Sequence, residues 1–399
     1  MTLTGRGLIA ALMIVTVLLP VLGVAIWRRC RGGRVVVGVQ RVIIVLMCQL
    51  AALALVAALV NDNNYFYTSW GQLHQALTQQ FSGVGQSGQP SQQATGTSTP
   101  KVRPSPGVLA PSVPTDMDPA SAGRIQVHSV TGTPAQWSRR GRLESVTILG
   151  AISGLHEHAF VYFPPQYFQR RYATARFPGV EVMTGYPGND IGLVRGLRYP
   201  DVLERLQRLG RARPMILVMM RPSVTFPRDT ECTDVPGGPQ ALTFFAADVP
   251  AQIARSYRVK PVGWGAIGDS TGGYCVTKLA MTHPLIFTAS ASLSGYYFAL
   301  RDGTTGDLWG GSPAVRHLND LRWRMLHLPA PPVSLLIATA RTEKGADGYT
   351  EALSFARVIR PPTNGTLLVS PTGGHNARTW SGQLPSALTW LSAQIARAR

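Results

Sequence analysis

Two long apolar runs open the chain, and shorter apolar and polar stretches alternate through the rest. Residues 8–27 are apolar almost throughout, with a lone Pro20, and residues 42–60 form a second such run. Each has about the twenty residues that a helix needs to cross a bilayer. Neither holds a charged residue, so anchoring is expected rather than transport. The connection between them carries Arg28, Arg29, Arg31, Arg34 and Arg41, whereas only Arg6 precedes the first run. The positive-inside rule puts that connection in the cytoplasm and everything after Asn61 outside. Tyr65, Phe66, Tyr67 and Trp70 follow, as expected of an interfacial aromatic belt. A cleaved signal peptide fits less well. Its apolar core would be too long, and Trp27-Arg28-Arg29-Cys30 offers no small-x-small cleavage site.

From 82 to 120 the chain is Gly, Ser, Gln, Thr and Pro with few large apolar residues. Such a stretch cannot bury enough surface to fold and is expected to be a flexible linker that holds the next domain away from the lipid. The division is then 1–61 for a two-span hairpin, 62–121 for a juxtamembrane segment and linker, and 122–399 for an extracytoplasmic domain. In that domain short apolar runs predict strands at 146–148, 159–163, 180–183, 215–220, 264–267, 288–293, 333–340 and 366–369. Helical spacing joins Val202, Leu206 and Leu209, with Gly210 as a stop, and joins Phe245, Val249, Ile253 and Tyr257, with a bend expected at Pro250. Further helices are predicted over 271–282, 350–358 and through Leu384, Leu388, Leu391 and Ile395. Strand–helix alternation predicts an α/β fold, a mostly parallel central sheet with helices on both faces.

Charge changes this picture little. The formal net charge is +18, and nearly all of the basic residues are Arg. No zinc-finger spacing, RNP-like aromatic motif or basic helix accompanies it, so nucleic acid is not an expected partner. Attraction to anionic lipid or cell wall, or a merely solvated Arg-rich surface, accounts for the charge. The lipid bilayer, through the two spans, is the expected partner; nothing defines a protein partner.

Gly268-Asp269-Ser270-Thr271-Gly272 matches Gly-x-Ser-x-Gly, and a predicted strand precedes it and a helix follows. That context suits a nucleophile elbow, in which a serine is held on a sharp strand-to-helix turn. Chymotrypsin-like proteases also use Gly-Asp-Ser, but on an all-β body with histidine and aspartate before the serine. In the order Ser, acid, His, the base is His375, which stands between the last strand and the last helix. His283 ends the elbow helix, and His317 and His327 lie in 298–328, a Trp- and Arg-bearing segment expected to cover the site as a lid. The acid should follow the strand at 333–340, where Glu343 comes first and Asp347 is the alternative. Backbone N–H groups of Thr271 and of Tyr186, in the Gly185-Tyr186-Pro187-Gly188 turn, are the candidates for an oxyanion hole.

With these motifs on the page, the chain from about residue 145 resembles the antigen 85 mycolyltransferases and the wider esterase D group of α/β-hydrolases. The resemblance rests on Tyr162-Phe163-Pro164-Pro165, Thr184-Gly185-Tyr186, the elbow, and Gly373-Gly374-His375-Asn376 with Trp380 beyond. It looks closest to membrane-anchored actinomycete esterases. It implies an α/β-hydrolase fold, Ser270, Glu343 and His375 as a triad, and hydrolysis or transfer of an acyl group from an ester or acyl-lipid/sugar substrate, with no cofactor. The rival expectation is a non-catalytic, tethered envelope-binding or scaffold protein that keeps the fold.

Cys232 and Cys275 both fall in the outward domain, where a disulfide persists if geometry allows; two buried thiols are the alternative. Cys30 and Cys48 lie in the connection and the second span. His156-Glu157-His158 puts two imidazoles on one strand face, yet no Cys or carboxylate cluster completes a metal site, so a surface hairpin is expected and no metal. Asp190 and Asp248 read as turn and helix residues.

Overall fold

A computed structural model describes residues 6–64, 125–345 and 348–397. The aromatic group at 65–70, the stretch 82–120 and Asp347 lie outside the described residues. The two opening runs form helices α1 (Arg6–Trp27) and α2 (Arg34–Asn64). They pack on each other, and so closely at Gly23 that a Cβ there would lie 2.8 Å from Ile44 Cγ2. Segments Gly7–Trp27 and Arg34–Asn61 are long and apolar enough to cross a membrane. Their flanks are bare, Val17 66% and Leu53 65% exposed. The α2 helix reaches the folded domain, where it packs on the turn Gly192–Gly196.

The domain is built on one sheet, with nine strands among the described residues. Strands β1 (Ile125–Val130), β2 (Arg142–Leu149) and β3 (His156–Phe163) run antiparallel, and β3 meets β5 (Ile216–Met220) antiparallel. From β5 the sheet is parallel through β4 (Gly179–Met183), β6 (Trp264–Asp269), β7 (Phe287–Leu293), β8 (Ser334–Ala340) and β9 (Asn364–Ser370). Every residue of β4, β5 and β6 is buried. Helices covering both faces make these strands read as continuous apolar runs. β2 alternates buried and half-buried positions instead, as a strand with one wetter face does.

One apolar core gathers Phe163, Phe244, Tyr274 and Phe287, and the other Val182, Leu203, Ile267 and Leu388. They lie on opposite faces of the sheet. The predicted helices fall close to the observed ones. The segment expected to bend at Pro250 runs without a break from Ala241–Thr243 through a wide turn, Phe244–Asp248, into the helix Val249–Ser256, so Pro250 directly follows the wide turn, where the backbone ladder is already irregular. The segments that follow β4, β6, β7, β8 and β9 meet at the C-terminal edge of the parallel strands, linked by contacts among Gly185, Asp269, Ser270, Ser294, Glu343 and His375.

Candidate active site

Ser270 is the residue between β6 and the helix Thr271–Thr282, with φ 53° and ψ −123°. A non-glycine residue held at positive φ is uncommon and costs strain, which the packing on both sides must maintain. The flanking glycines show why. A Cβ on Gly272 would meet Met183 O at 2.4 Å, and one on Gly268 would meet the Gly272 backbone at 2.6 Å. Ser270 N–H donates to Leu293 O at 3.0 Å, fixing the elbow to β7.

His375 Nε2 lies 2.8 Å from Ser270 Oγ, and its Nδ1 lies 3.0 Å from Glu343 Oε1. Glu343 is 4% exposed, and three donors bracket its other oxygen, Oε2: Ser294 Oγ at 2.9 Å, Thr339 Oγ1 at 3.2 Å and Ala340 N–H at 3.3 Å. The bracket leaves Oε1 to the imidazole. The loop that carries His375 is itself tied down. Thr342 Oγ1 donates to Gly373 O at 2.7 Å, Gly374 N–H donates to Thr379 Oγ1 at 3.0 Å, and the Trp380 ring meets the imidazole edge to face at 5.2 Å. Asp347, the alternative acid, is outside the described residues.

The turn that bears Tyr186 stands against the serine, since a Cβ on Gly185 would lie 2.7 Å from Ser270 Cβ. Gly185 N–H donates to Asp269 Oδ2 at 2.8 Å, and Tyr186 OH donates to Pro227 O at 2.6 Å. Thr271 opens its helix, where backbone N–H groups lack intrahelical partners. Together these surfaces enclose a cavity of about 620 Å³ whose walls include Tyr186, Arg195, Ser270, His375, Trp380 and, from α2, Leu59. The segment 298–328 supplies none of its lining, contrary to the lid expectation. Its helices Pro313–Leu318 and Leu321–His327 instead border a separate recess of about 480 Å³ with Phe298 and Trp309. His317 and His327 stack on Trp323. His283 remains at the end of the elbow helix, where burial lowers its pKa to about 4.

Behind the elbow, Cys232 and Cys275 are joined in a disulfide, their Cα atoms 5.4 Å apart. The neighbouring Glu231 reaches the site through one side chain: Tyr296 OH lies 2.6 Å from Glu231 Oε1 and 2.9 Å from Thr271 Oγ1. Burial pushes the Glu231 carboxyl well above the usual range. Lys278 Nζ is fully buried and donates to Cys232 O at 2.7 Å, to Thr233 Oγ1 at 3.1 Å and to Asn319 Oδ1. Burial lowers its pKa to about 7.

The His156-Glu157-His158 segment lies in β3 and only partly faces solvent. His158 pairs with Asp190 through Nδ1 and with Ser145 Oγ at 2.7 Å through Nε2, while Glu157 turns inward to Arg221 at 3.6 Å. Among the described residues no three His, Cys, Asp or Glu side chains converge on a common point. Asp248 closes a loop by accepting from Ile152 N–H and Ser153 N–H, both at 2.9 Å. Sequence reasoning missed the Ser294 and Thr339 bracket, the Asp269 contact and the Glu231–Tyr296 link. The one signal available for Ser294 was its place just past the end of a predicted strand.

Residues 155–330 match a family model described as putative esterase. A curated relative, the MPT51/MPB51 antigen of Mycobacterium tuberculosis, is 33% identical over 75 residues, which is 19% of this chain and 25% of that protein. The MPT51 antigen of Mycobacterium leprae matches to the same extent. The chain thus spans about a quarter of the length of these relatives. Among solved structures, an S-formylglutathione hydrolase from Agrobacterium tumefaciens superposes with a TM-score of 0.56 at 14% identity, covering 68% of this chain and 99% of that one. A ferulic acid esterase gives 0.53 at 17%, covering 64% and 99%. Such identities speak for fold alone. The fold is that of the α/β-hydrolases. Within that class, the chain resembles the antigen 85 and esterase D group.

Proposed function

We propose that this protein is a membrane-anchored serine hydrolase that cleaves or transfers the acyl group of carboxylic esters on the outer face of a bacterial membrane. The observation that carries the reading is the unbroken chain from Ser270 Oγ through His375 to Glu343 Oε1. In this reading His375 Nε2 takes the Ser270 proton as Oγ bonds to the ester carbonyl carbon. The N–H groups of Tyr186 and Thr271 stabilise the oxygen that becomes negative. As the carbon–oxygen bond to the leaving alcohol breaks, His375 returns the proton to that alcohol, and the acyl group stays on Ser270. Water or a sugar hydroxyl, deprotonated in turn by His375, then attacks the acyl carbon; the bond from that carbon to Ser270 Oγ breaks, His375 returns the proton to Oγ, and the acid or the new ester leaves. Glu343 Oε1 accepts from the imidazole and holds it so that Nδ1 carries hydrogen and Nε2 can accept from Ser270 Oγ. No step calls for a cofactor.

The hairpin at 1–61 anchors the enzyme, 62–121 tethers it, and 122–399 does the chemistry. The Arg-rich connection between the spans supports a cytoplasmic loop and an outward domain. Leu59, near the outer end of α2, stands in the cavity wall beside Arg195 and Arg378, which supports an ester presented at the bilayer surface. Covalent labelling of the full-length protein by a fluorophosphonate, wild type beside Ser270→Ala and His375→Ala, tests the reading. Loss of label in both folded variants supports it. An unlabelled, folded wild type that turns over no short aryl ester would leave a non-catalytic scaffold.

A further inference from the structure

Asp269 is an expensive residue to keep where it is. It ends β6, is 1% exposed, and one of its oxygens bonds to another residue: Oδ2 takes the Gly185 N–H at 2.8 Å, whereas Oδ1 is buried with no hydrogen bond to any other described residue. A leucine or methionine would fill the space without desolvating a carboxyl group. The bond it makes spans two different loops, joining the residue before the serine to the first residue of the Tyr186 turn. That turn is closed by Gly188 N–H donating to Gly185 O at 2.8 Å. With Gly185 C=O directed into the turn, the planar peptide aims Tyr186 N–H the opposite way, outward, where Tyr186 and Ser270 line the same cavity.

Three constraints therefore set the direction of one N–H group. Asp269 fixes the peptide before Gly185, Gly188 fixes the peptide after it, and Tyr186 OH on Pro227 O anchors the side chain. Of these three, the Asp269 bond is the one that ties that orientation to the residue next to the nucleophile. We propose that Asp269 is a positioning residue, a strut from the nucleophile elbow to the turn at Gly185 that keeps Tyr186 N–H aimed at the oxyanion. The proposal rests on the Ser270 reading of the site.

The test uses full-length protein in detergent with p-nitrophenyl butyrate, comparing wild type, Asp269→Asn and Asp269→Leu, with Ser270→Ala as the blank. A carboxamide oxygen still accepts from Gly185, so Asp269→Asn should keep kcat within about tenfold. Asp269→Leu should lose about 100-fold in kcat, the scale of a lost oxyanion donor, while KM moves less than about threefold. Asp269→Ser, too short to reach Gly185, replaces the leucine variant if that one does not fold. Wild-type kcat in the leucine or serine variant overturns the strut, as does an equal loss in Asn and Leu. A wild type no more active than Ser270→Ala overturns the Ser270 reading and the strut with it; an active wild type with flat Asp269 variants overturns the strut alone.

Discussion

Glu343→Gln is the substitution whose outcome the local geometry predicts most sharply. The change keeps size and shape, and the bracket around Oε2 decides which way the new amide turns. Ser294 Oγ, Thr339 Oγ1 and Ala340 N–H all donate to that oxygen. The amide oxygen must face these donors, because an NH2 there would leave buried donors opposed at a cost of about 1–3 kcal/mol each. The NH2 group then occupies the Oε1 position and donates to His375 Nδ1. An imidazole accepting at Nδ1 carries its hydrogen on Nε2, so it can no longer take the Ser270 proton. A wrong tautomer and a lost counter-charge together should lower kcat by about 10⁴-fold, the drop seen when a triad aspartate becomes asparagine. That is ~5.5 kcal/mol of transition-state stabilisation. Stability should change by less than about 1 kcal/mol, since every bond of the bracket survives. Steady-state turnover of p-nitrophenyl butyrate by the full-length protein, beside denaturant unfolding, measures both. A variant within tenfold of wild-type kcat would refute the assignment of Glu343 as the group that sets the tautomer.

Three other outcomes follow from the packing. Replacing both Cys232 and Cys275 by Ala should cost about 4 kcal/mol from the 43-residue separation they close; it should also slow fluorophosphonate labelling, because the segment next to Cys232 carries the Glu231–Tyr296–Thr271 link, and unchanged unfolding would refute the first part. Gly272→Ala should fail to give a folded, labelled protein, since its Cβ would stand 2.4 Å from Met183 O, and near-normal labelling would refute the close packing of the elbow. Burial raises the Asp269 pKa to about 7, with the Gly185 N–H and the facing His375 pulling it down and Tyr199 also close. A raised folded pKa means a stabilising proton that is lost as pH rises, so the stability of the wild type relative to Asp269→Asn should fall by up to about 3 kcal/mol between pH 5 and pH 8. Denaturant titrations at the two pH values read the difference, and a rise would refute the sign.

Much of the parallel sheet is legible in the sequence because β4, β5, β6 and β8 are buried on both faces and read as unbroken apolar runs. β1 is not legible: Ile125–Val130 is an edge strand, almost wholly exposed, with little apolar signal to mark it. β3 begins three residues earlier than its apolar run, because His156, Glu157 and His158 are polar. At the site, local motifs point to Ser270 and His375, each of which has a topological slot defined by neighbouring elements. The residues that orient them do not. Ser294, just past the end of β7, meets Glu343 only through tertiary approach, and no spacing in the chain encodes that; Thr339 stands four residues before Glu343 and meets it through the turn that follows β8, a geometry the residue types alone do not show. The lid expectation for 298–328 failed for a related reason. Trp and Arg content marks a segment that packs something, and here Trp309 and Trp323 pack their own recess rather than the serine cavity.

The most direct test of the central claim is to find the labelled atom. Full-length protein treated with a fluorophosphonate, digested and sequenced by mass spectrometry should carry the adduct on the peptide containing Ser270. No adduct should form in Ser270→Ala, and labelling should fall at least about 100-fold in His375→Ala. An adduct on another residue, or labelling that survives Ser270→Ala, would contradict the account.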